Sequence, residues 1–384
     1  MRDGAATATR GPAVRPLPPV AGHRQLQDRF RRAAARGRMP QSLLFRGPEG
    51  VGKQRLALWT AELLLCQEGE ACGRCRSCRL AERLEHPDLH WHFPLPRPKG
   101  VPRHKLREKL EEARSEALEH RRRFPLRPEP VAGPTGIYLA AVEEMRVQAS
   151  RRPAMGNRAV FVVGDAEQMV PQAANPEAAN AFLKLLEEPS PHISLIVTSS
   201  RPGALLSTIR SRTLAVRVPP LDREDVDRFL REEAGMSAEE AVRVAPRAQG
   251  SIGRALRIAA GLESGERAIA EGMLKAALSP RASEALRQAA RLSSVGARGE
   301  FAGALRTLAE LLRDLLGLSL GQEDLAFEAE VIRELVGARL PAPEGVAEAL
   351  GHVEEALEEA AGNVNPQAIA ATLLLELRGA LAAA

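Results

Sequence analysis

The chain has 384 residues, enough for two or three domains, and is 44% apolar but only 3% aromatic, so Leu, Ala and Val must fill its cores. Its formal charge of +5 and pI near 9.3 admit a nucleic-acid partner, although only six of the 54 basic residues are lysines, an Arg-rich bias that a GC-rich coding sequence also produces. No run of about 18 apolar residues is present, which excludes a helical membrane span, and 1–19 lacks the apolar block of a secretory signal and reads as a disordered leader.

Residues 20–45 read as a helix and then a strand, opened by Gly22-His23 and divided by Gly37-Arg38-Met39-Pro40. The apolar run Leu43-Leu44-Phe45 leads into Gly47-Pro48-Glu49-Gly50-Val51-Gly52-Lys53, and Leu56, Trp59, Leu63 and Leu64 follow at helical spacing. Strand, glycine-rich loop and helix are the setting of a phosphate-binding loop. Gly47, Gly50 and Gly52 let backbone N–H groups turn toward a phosphate, and Lys53 adds a point charge. The next residue should be a Ser or Thr whose hydroxyl holds Mg²⁺, and here it is Gln54, a poor substitute.

All four cysteines follow at once, as Cys66-x5-Cys72-x2-Cys75-x2-Cys78. A disulfide framework would spread them through the chain. Crowded together without a signal peptide, they read as four thiolate ligands of one closed, tetrahedral, structural zinc site in a reducing cytoplasm. Arg74, Arg76 and Arg79 lie beside them to offset the negative charge of such a centre. His86, His90, His92 and His104 are near but are not needed as ligands. Residues 93–134 are proline-rich and basic, an inserted excursion in which Lys105–Arg123 can form a charged helix with the narrow stripe Leu106, Leu110, Ala113 and Ala117.

Core character resumes with a helix around Val142–Arg152, the apolar strand Ala159–Val163, a helix over Ala178–Glu187 and the strand Ile193–Val197. Strands apolar on both faces alternating with helices predict a parallel α/β sheet. Asp165, at a strand end, is placed to join a Mg²⁺ shell, but Ala166 stands where a water-polarising Glu belongs, and Glu167 is one position too late. Two parts of an ATPase are thus missing together. Leu214–Val218 is the last expected strand. Pro219-Pro220 mark a boundary, and a second falls within Gly265–Pro280. Helical periodicity dominates the rest, as in Phe301, Leu305, Leu308, Leu312 and Leu315.

Taken together these motifs resemble the bacterial clamp-loader subunits of the DNA polymerase III holoenzyme. The resemblance is carried by Gly37–Phe45, the cysteines directly after the phosphate-loop helix, His86-Pro87-Asp88, Asn180–Pro189, Thr208–Thr213 and Asn363–Gln367. It is closer to the delta-prime branch, a rigid stator, than to the ATP-hydrolysing gamma/tau branch. Gln54, the Asp165-Ala166 pair, and Gly253, which stands where the ATPases carry an Arg that contacts the γ-phosphate, are the departures that favour it. The resemblance implies an AAA+ parallel-sheet P-loop domain over 20–219 carrying the zinc module at 66–78. It also implies a helical lid over 220–278 and an all-helical collar over 279–384 that assembles a hetero-oligomer. It implies that Arg212, in Ser211-Arg212-Thr213, is an arginine finger projected into a neighbour's ATP site. The implied partners are gamma/tau and delta subunits, the sliding clamp and primer–template DNA. Binding of ATP and Mg²⁺ stays open at this point, and two other readings stand beside this one: a gamma/tau-type ATPase, and a zinc-bearing nucleic-acid-binding protein that acts alone.

Overall fold

The computed structural model describes residues 16–98, 100–127, 135–169, 177–262, 264–292, 298–323, 326–337, 340–360 and 365–382. Most of the expected leader, the end of the 93–134 excursion and Asn363-Val364 lie outside the described residues. The chain divides into two compact units, one comprising 1–241 with 250–256 and the other 242–249 with 257–384.

The first unit contains the strands β1 (Ser42–Arg46), β2 (Leu89–His92), β3 (Leu95–Pro96), β4 (Thr135–Gly136), β5 (Ala159–Val163), β6 (Ile193–Ser199) and β7 (Leu214–Arg217). Five of them form one parallel sheet in the order β2-β5-β6-β1-β7, while β3 and β4 make a short antiparallel ladder. Around the sheet run α1 (Arg24–Ala35), α2 (Lys53–Leu65), α3 (Arg76–Glu82), α4 (Leu106–Arg123), α5 (Leu139–Ala149), α6 (Glu177–Glu187), α7 (Ser207–Ser211) and α8 (Arg223–Glu232).

Successive residues of a strand point to opposite faces, and the core sorts accordingly. Leu43, Phe45, Val160, Val162 and Ile196 pack with residues of α1, α2 and α4. Leu44, Phe161, Val163, Leu195 and Val197 pack with residues of α5 and α6. Helices on both faces explain why β5 and β6 are buried along their whole length. The expected strands and the helix over 178–187 are found, and the helix expected from Val142 starts earlier, at Leu139.

Strand β2 was not legible, because Leu-His-Trp-His looks like a polar segment. It pairs with β5, where His90 stacks on Phe161 at 4.5 Å between ring centroids. Burial, aided by nearby Arg114, lowers the His90 pKa to about 4 and holds His92 well below the ordinary imidazole range, so both pack as neutral rings. The narrow stripe of α4 also docks: Leu110 and Ala117 are buried, and Leu106 and Ala113 pack against the same core.

The other unit is helical throughout its described residues, with α11 (Ser264–Leu278), α12 (Ala282–Arg291), α13 (Arg298–Ser319), α14 (Ala329–Val336), α15 (Pro343–Ala360) and α16 (Pro366–Ala382) following α9 (Ala238–Arg247) and α10 (Ile252–Ala259), both of which have residues in each unit. Phe301, Leu305, Leu308, Leu312 and Leu315 of α13 are all buried, as their spacing predicts, in a core shared with apolar side chains of α11 and α15. No helix among the described residues is long and apolar enough to cross a membrane.

Candidate nucleotide, metal and arginine sites

The loop between β1 and α2 turns through Gly50 and Gly52 at φ 73° and 95°, values that strain any residue with a Cβ. Gly47 has no room for a side chain: a Cβ there would lie 2.0 Å from the carbonyl oxygen of Val218. Its N–H donates to Ser199 at 3.3 Å, tying the loop to the end of β6.

Four consecutive loop carbonyls accept hydrogen bonds. Lys53 Nζ donates to Pro48 O at 2.6 Å, Ser251 Oγ to Glu49 O at 3.0 Å, Gly253 N–H to Gly50 O at 3.0 Å and His23 Nε2–H to Val51 O at 2.9 Å. The contact at Gly253 is backbone to backbone. A Cβ on Gly253 would meet Gly50 Cα at 2.9 Å, so any larger residue must move the loop. Lys53 is buried, and its amine also donates to Ser200 Oγ at 2.8 Å. Burial lowers its pKa, while Asp165, Glu167 and Glu49 pull it back up.

Gln54 meets the acidic strand end directly. Its Nε2 donates to Asp165 Oδ2 at 2.9 Å, and Asp165 N–H donates to Thr198 Oγ1 at 3.1 Å. Asp165 sits at φ 47°, and burial, then the charge of Glu167, raises its pKa to about 6 against the opposing pull of Lys53. These residues do not fit a phosphate-bound magnesium ion. The coordinating hydroxyl is absent, and an amide donor covers the carboxylate that would face the metal. Ala166 is buried and brings no carboxylate. Glu167 turns to the end of β6, where its Oε1 accepts from the N–H groups of Ser200 and Arg201 at 2.9 and 3.3 Å. A cavity of about 420 Å³ opens beside the loop, with Lys53, Gln54 and Asp165 in its wall.

Cys66, Cys72, Cys75 and Cys78 come together between α2 and α3, with all four Sγ atoms within 4.8 Å of one another. The Sγ–Sγ separations include 3.7 Å for Cys66–Cys72, 4.0 Å for Cys66–Cys75 and 4.0 Å for Cys72–Cys78. A tetrahedron with Zn–S bonds of about 2.3 Å has edges of about 3.8 Å, so the cluster can hold a metal ion such as zinc. The N–H groups of Cys75 and Cys78 point at Cys72 Sγ and Cys75 Sγ, each at 3.4 Å, which steadies thiolate charge. Arg74 pairs with Glu68 at 2.6 Å.

Arg212 follows α7 and stands apart from the loop residues in its contacts. Its Nη2 lies 2.9 Å from Glu187 Oε1 at the end of α6, and its Nη1 donates to Thr208 O at 3.3 Å. Thr213 Oγ1 donates to Ile209 O at 3.0 Å, which anchors the turn that carries it. Sequence reasoning missed Thr198, Ser200, His23 and Ser251. Polar residues closing the buried strand β6 were a usable signal for the first two; His23 and Ser251 meet the loop only through the tertiary fold.

Residues 22–222, just over half of the chain, match the family described as DNA polymerase III, delta subunit. DNA polymerase III subunit delta' of Bacillus subtilis is 28% identical over 198 residues, covering 51% of this chain and 47% of that protein. The Pseudomonas aeruginosa delta' subunit is 31% identical over 187 residues, covering 48% and 44%. The Escherichia coli tau subunit is 24% identical over 229 residues, covering 56% of this chain and 28% of its own length. The chain spans about half the length of the curated delta' relatives it matches. A glycine-rich loop after the interior strand β1 of a parallel five-stranded sheet, a four-cysteine cluster after its helix and this match over both place the chain in the DNA polymerase III delta-subunit family of clamp-loader proteins.

Proposed function

We propose that the chain is a delta-prime-like stator of the bacterial DNA polymerase III clamp loader, supporting ATP-dependent loading of the sliding clamp onto primed DNA without turning over ATP itself. The hydrogen bond from Gln54 to Asp165 carries this reading, because it fills the place of the metal on which phosphoryl transfer depends. The buried Ala166 and the close approach of Gly253 to Gly50 act in the same direction. In this reading Arg212 exchanges Glu187 for the γ-phosphate held by a neighbouring gamma/tau subunit, and its planar fork meets the charge that develops there. Cys66, Cys72, Cys75 and Cys78 hold one structural zinc, which fixes the turn between α2 and α3. The AAA+ domain over 20–219 is followed by a lid over 220–278 and a collar over 279–384. The collar joins gamma/tau and delta in the cytoplasm, and the clamp and primer–template DNA are met by the whole complex.

The second reading is a gamma/tau-type ATPase, favoured by the retained Lys53 and by the tau relative. The two are separated by measuring ATP hydrolysis of the purified chain with Mg²⁺, then of the complex reconstituted with gamma/tau and delta. The stator reading expects no turnover by the chain alone and turnover by the complex. Hydrolysis by the chain alone that disappears with Lys53→Ala selects the ATPase instead.

A further inference from the structure

The basic charge of the chain is not spread along it. Of the 54 basic and 49 acidic residues, 1–38 holds nine arginines and two acids, a net +7 that exceeds the +5 of the whole chain and leaves the rest at −2. A coding bias toward arginine would raise it everywhere and does not account for this segregation. Helix α1 displays much of the charge. Its Phe30 is buried and stacks on Phe45 at 5.5 Å between ring centroids, while Leu26 and Ala34 pack against the same core. Arg24, Arg29, Arg31, Arg32 and Arg36 are exposed, as is Arg38 just beyond the helix. Asp28 is the one acid on the helix, and it pairs at 3.2 Å with Arg31, whose guanidinium lies 5.1 Å over the Trp59 ring. The other five arginines hold no ion pair or side-chain hydrogen bond among the described residues.

Arg29, Arg32 and Arg36 follow one another at three and four residues, spacings at which like charges on a helix repel. The negative end of the helix dipole favours cations in the last turn, but not Arg24 or Arg29. Helix α4 shows the usual remedy, since it pairs Lys109 with Glu112, Arg114 with Glu111 and Arg123 with Glu119. We propose that the exposed face of α1 is a binding surface for duplex DNA, which it grips by the phosphate backbone without reading sequence. From Arg29 to Arg36 the stripe runs about 10 Å along the helix axis, a length over which a duplex carries about six charges. What the face lacks narrows the class of partner. It has no exposed aromatic ring on which single-stranded bases could stack, because Phe30 is buried. It has no bulky apolar side chain to enter a lipid surface, because Gln25, Asp28 and Ala35 are the only exposed residues of α1 besides arginine. The surface stands apart from the stator reading, since it uses neither the glycine-rich loop nor Arg212.

The test uses the full chain with a fluorescent mixed-sequence duplex of about 30 base pairs, and reads anisotropy from about 50 to 200 mM NaCl. The logarithm of the affinity should fall with that of the salt at a slope of about −3 to −5, close to one unit for each arginine engaged. Arg29→Gln with Arg32→Gln and Arg36→Gln should cut the slope by about 2–3 and weaken binding at least tenfold at roughly 0.1 M salt, with an unchanged melting temperature. Arg29→Lys with Arg32→Lys and Arg36→Lys should keep the slope, because a point charge suffices for such contacts. Arg281→Gln with Arg287→Gln and Arg291→Gln, an equal loss of exposed charge on and beside α12, should change neither slope nor affinity. No binding at the lowest salt, a slope unmoved by the α1 glutamines, or equal weakening by the α12 set overturns the proposal. Tighter binding of a single strand of the same length or of phosphatidylserine vesicles, or polyglutamate that competes as well as the duplex, overturns duplex DNA as the partner. ATP hydrolysis by the chain alone bears only on the stator reading, so the two fail separately.

Discussion

Asp165 shows how burial changes the behaviour of a carboxyl group. Its carboxyl is raised by burial and by Glu167 from 3.8 to about 6. Between these values the folded chain keeps a proton that the unfolded chain has released, so this group lowers stability as pH rises through the window. Asp165→Asn keeps an acceptor for Gln54 and removes the penalty. The variant should be more stable than the parent above pH 7 by about 1–3 kcal/mol, with the difference vanishing near about pH 4; urea unfolding across pH measures it. Gly253 illustrates the steric counterpart. Since a Cβ there lies 2.9 Å from Gly50 Cα, Gly253→Ala should cost about 1–3 kcal/mol by overpacking. Gly253→Arg should do at least as much harm and restore no hydrolysis. A thermal melt of each, beside an ATPase assay, checks this; a neutral Gly253→Ala would mean that the loop yields freely.

At the scale of elements, the metal cluster and the arginine turn make separate predictions. If zinc ties α2 to α3, a strong chelator or Cys75→Ser should lower the melting temperature and release about one zinc per chain. Helix α3 has only seven residues, too few to persist without a tertiary anchor. Metal analysis that finds no zinc in protein purified without chelator would reject the assignment. Arg212→Ala should leave the chain folded, because its ion pair with Glu187 is half exposed and such pairs contribute little. It should lower the ATPase and clamp-loading rates of the reconstituted complex only in part, since one site among several is touched. Fingers of this kind are worth about 10³–10⁵ in rate in GTPases, and Arg212→Lys should rescue poorly for want of the planar fork. Unchanged loading by the Arg212→Ala complex would remove the trans role. The same scale shows what the sequence could disclose. Strands β1, β5 and β6 and helices α2 and α6 were legible because period and burial coincide in them. Strand β2 was hidden by two histidines that only a buried neighbour such as Phe161 makes apolar in effect. The four cysteines announced their cluster by spacing, whereas the bond between Gln54 and Asp165 joins residues 111 positions apart, beyond any local pattern.

Across the whole molecule, order along the chain and order in the fold part company. Residues 250–256 belong to the first unit, yet residues of the second precede and follow them. In that short return Gly250 O accepts from Leu221 N–H at 2.9 Å, and Ser251 and Gly253 bond the phosphate loop. The family match ends at residue 222, before this stitch is made. A fragment ending at 241 should therefore unfold at lower urea than one ending at 256, although it holds every strand of the sheet; equal midpoints would show that the stitch is dispensable. The consequence reaches beyond truncation, to how such genes can be recombined. A crossover anywhere between 222 and 250 would graft a foreign return segment onto this phosphate loop, and that segment must offer small residues at both Gly250 and Gly253 to close. The glycine-rich loop after β1 and a stretch about two hundred residues downstream are inherited, in effect, as one allele.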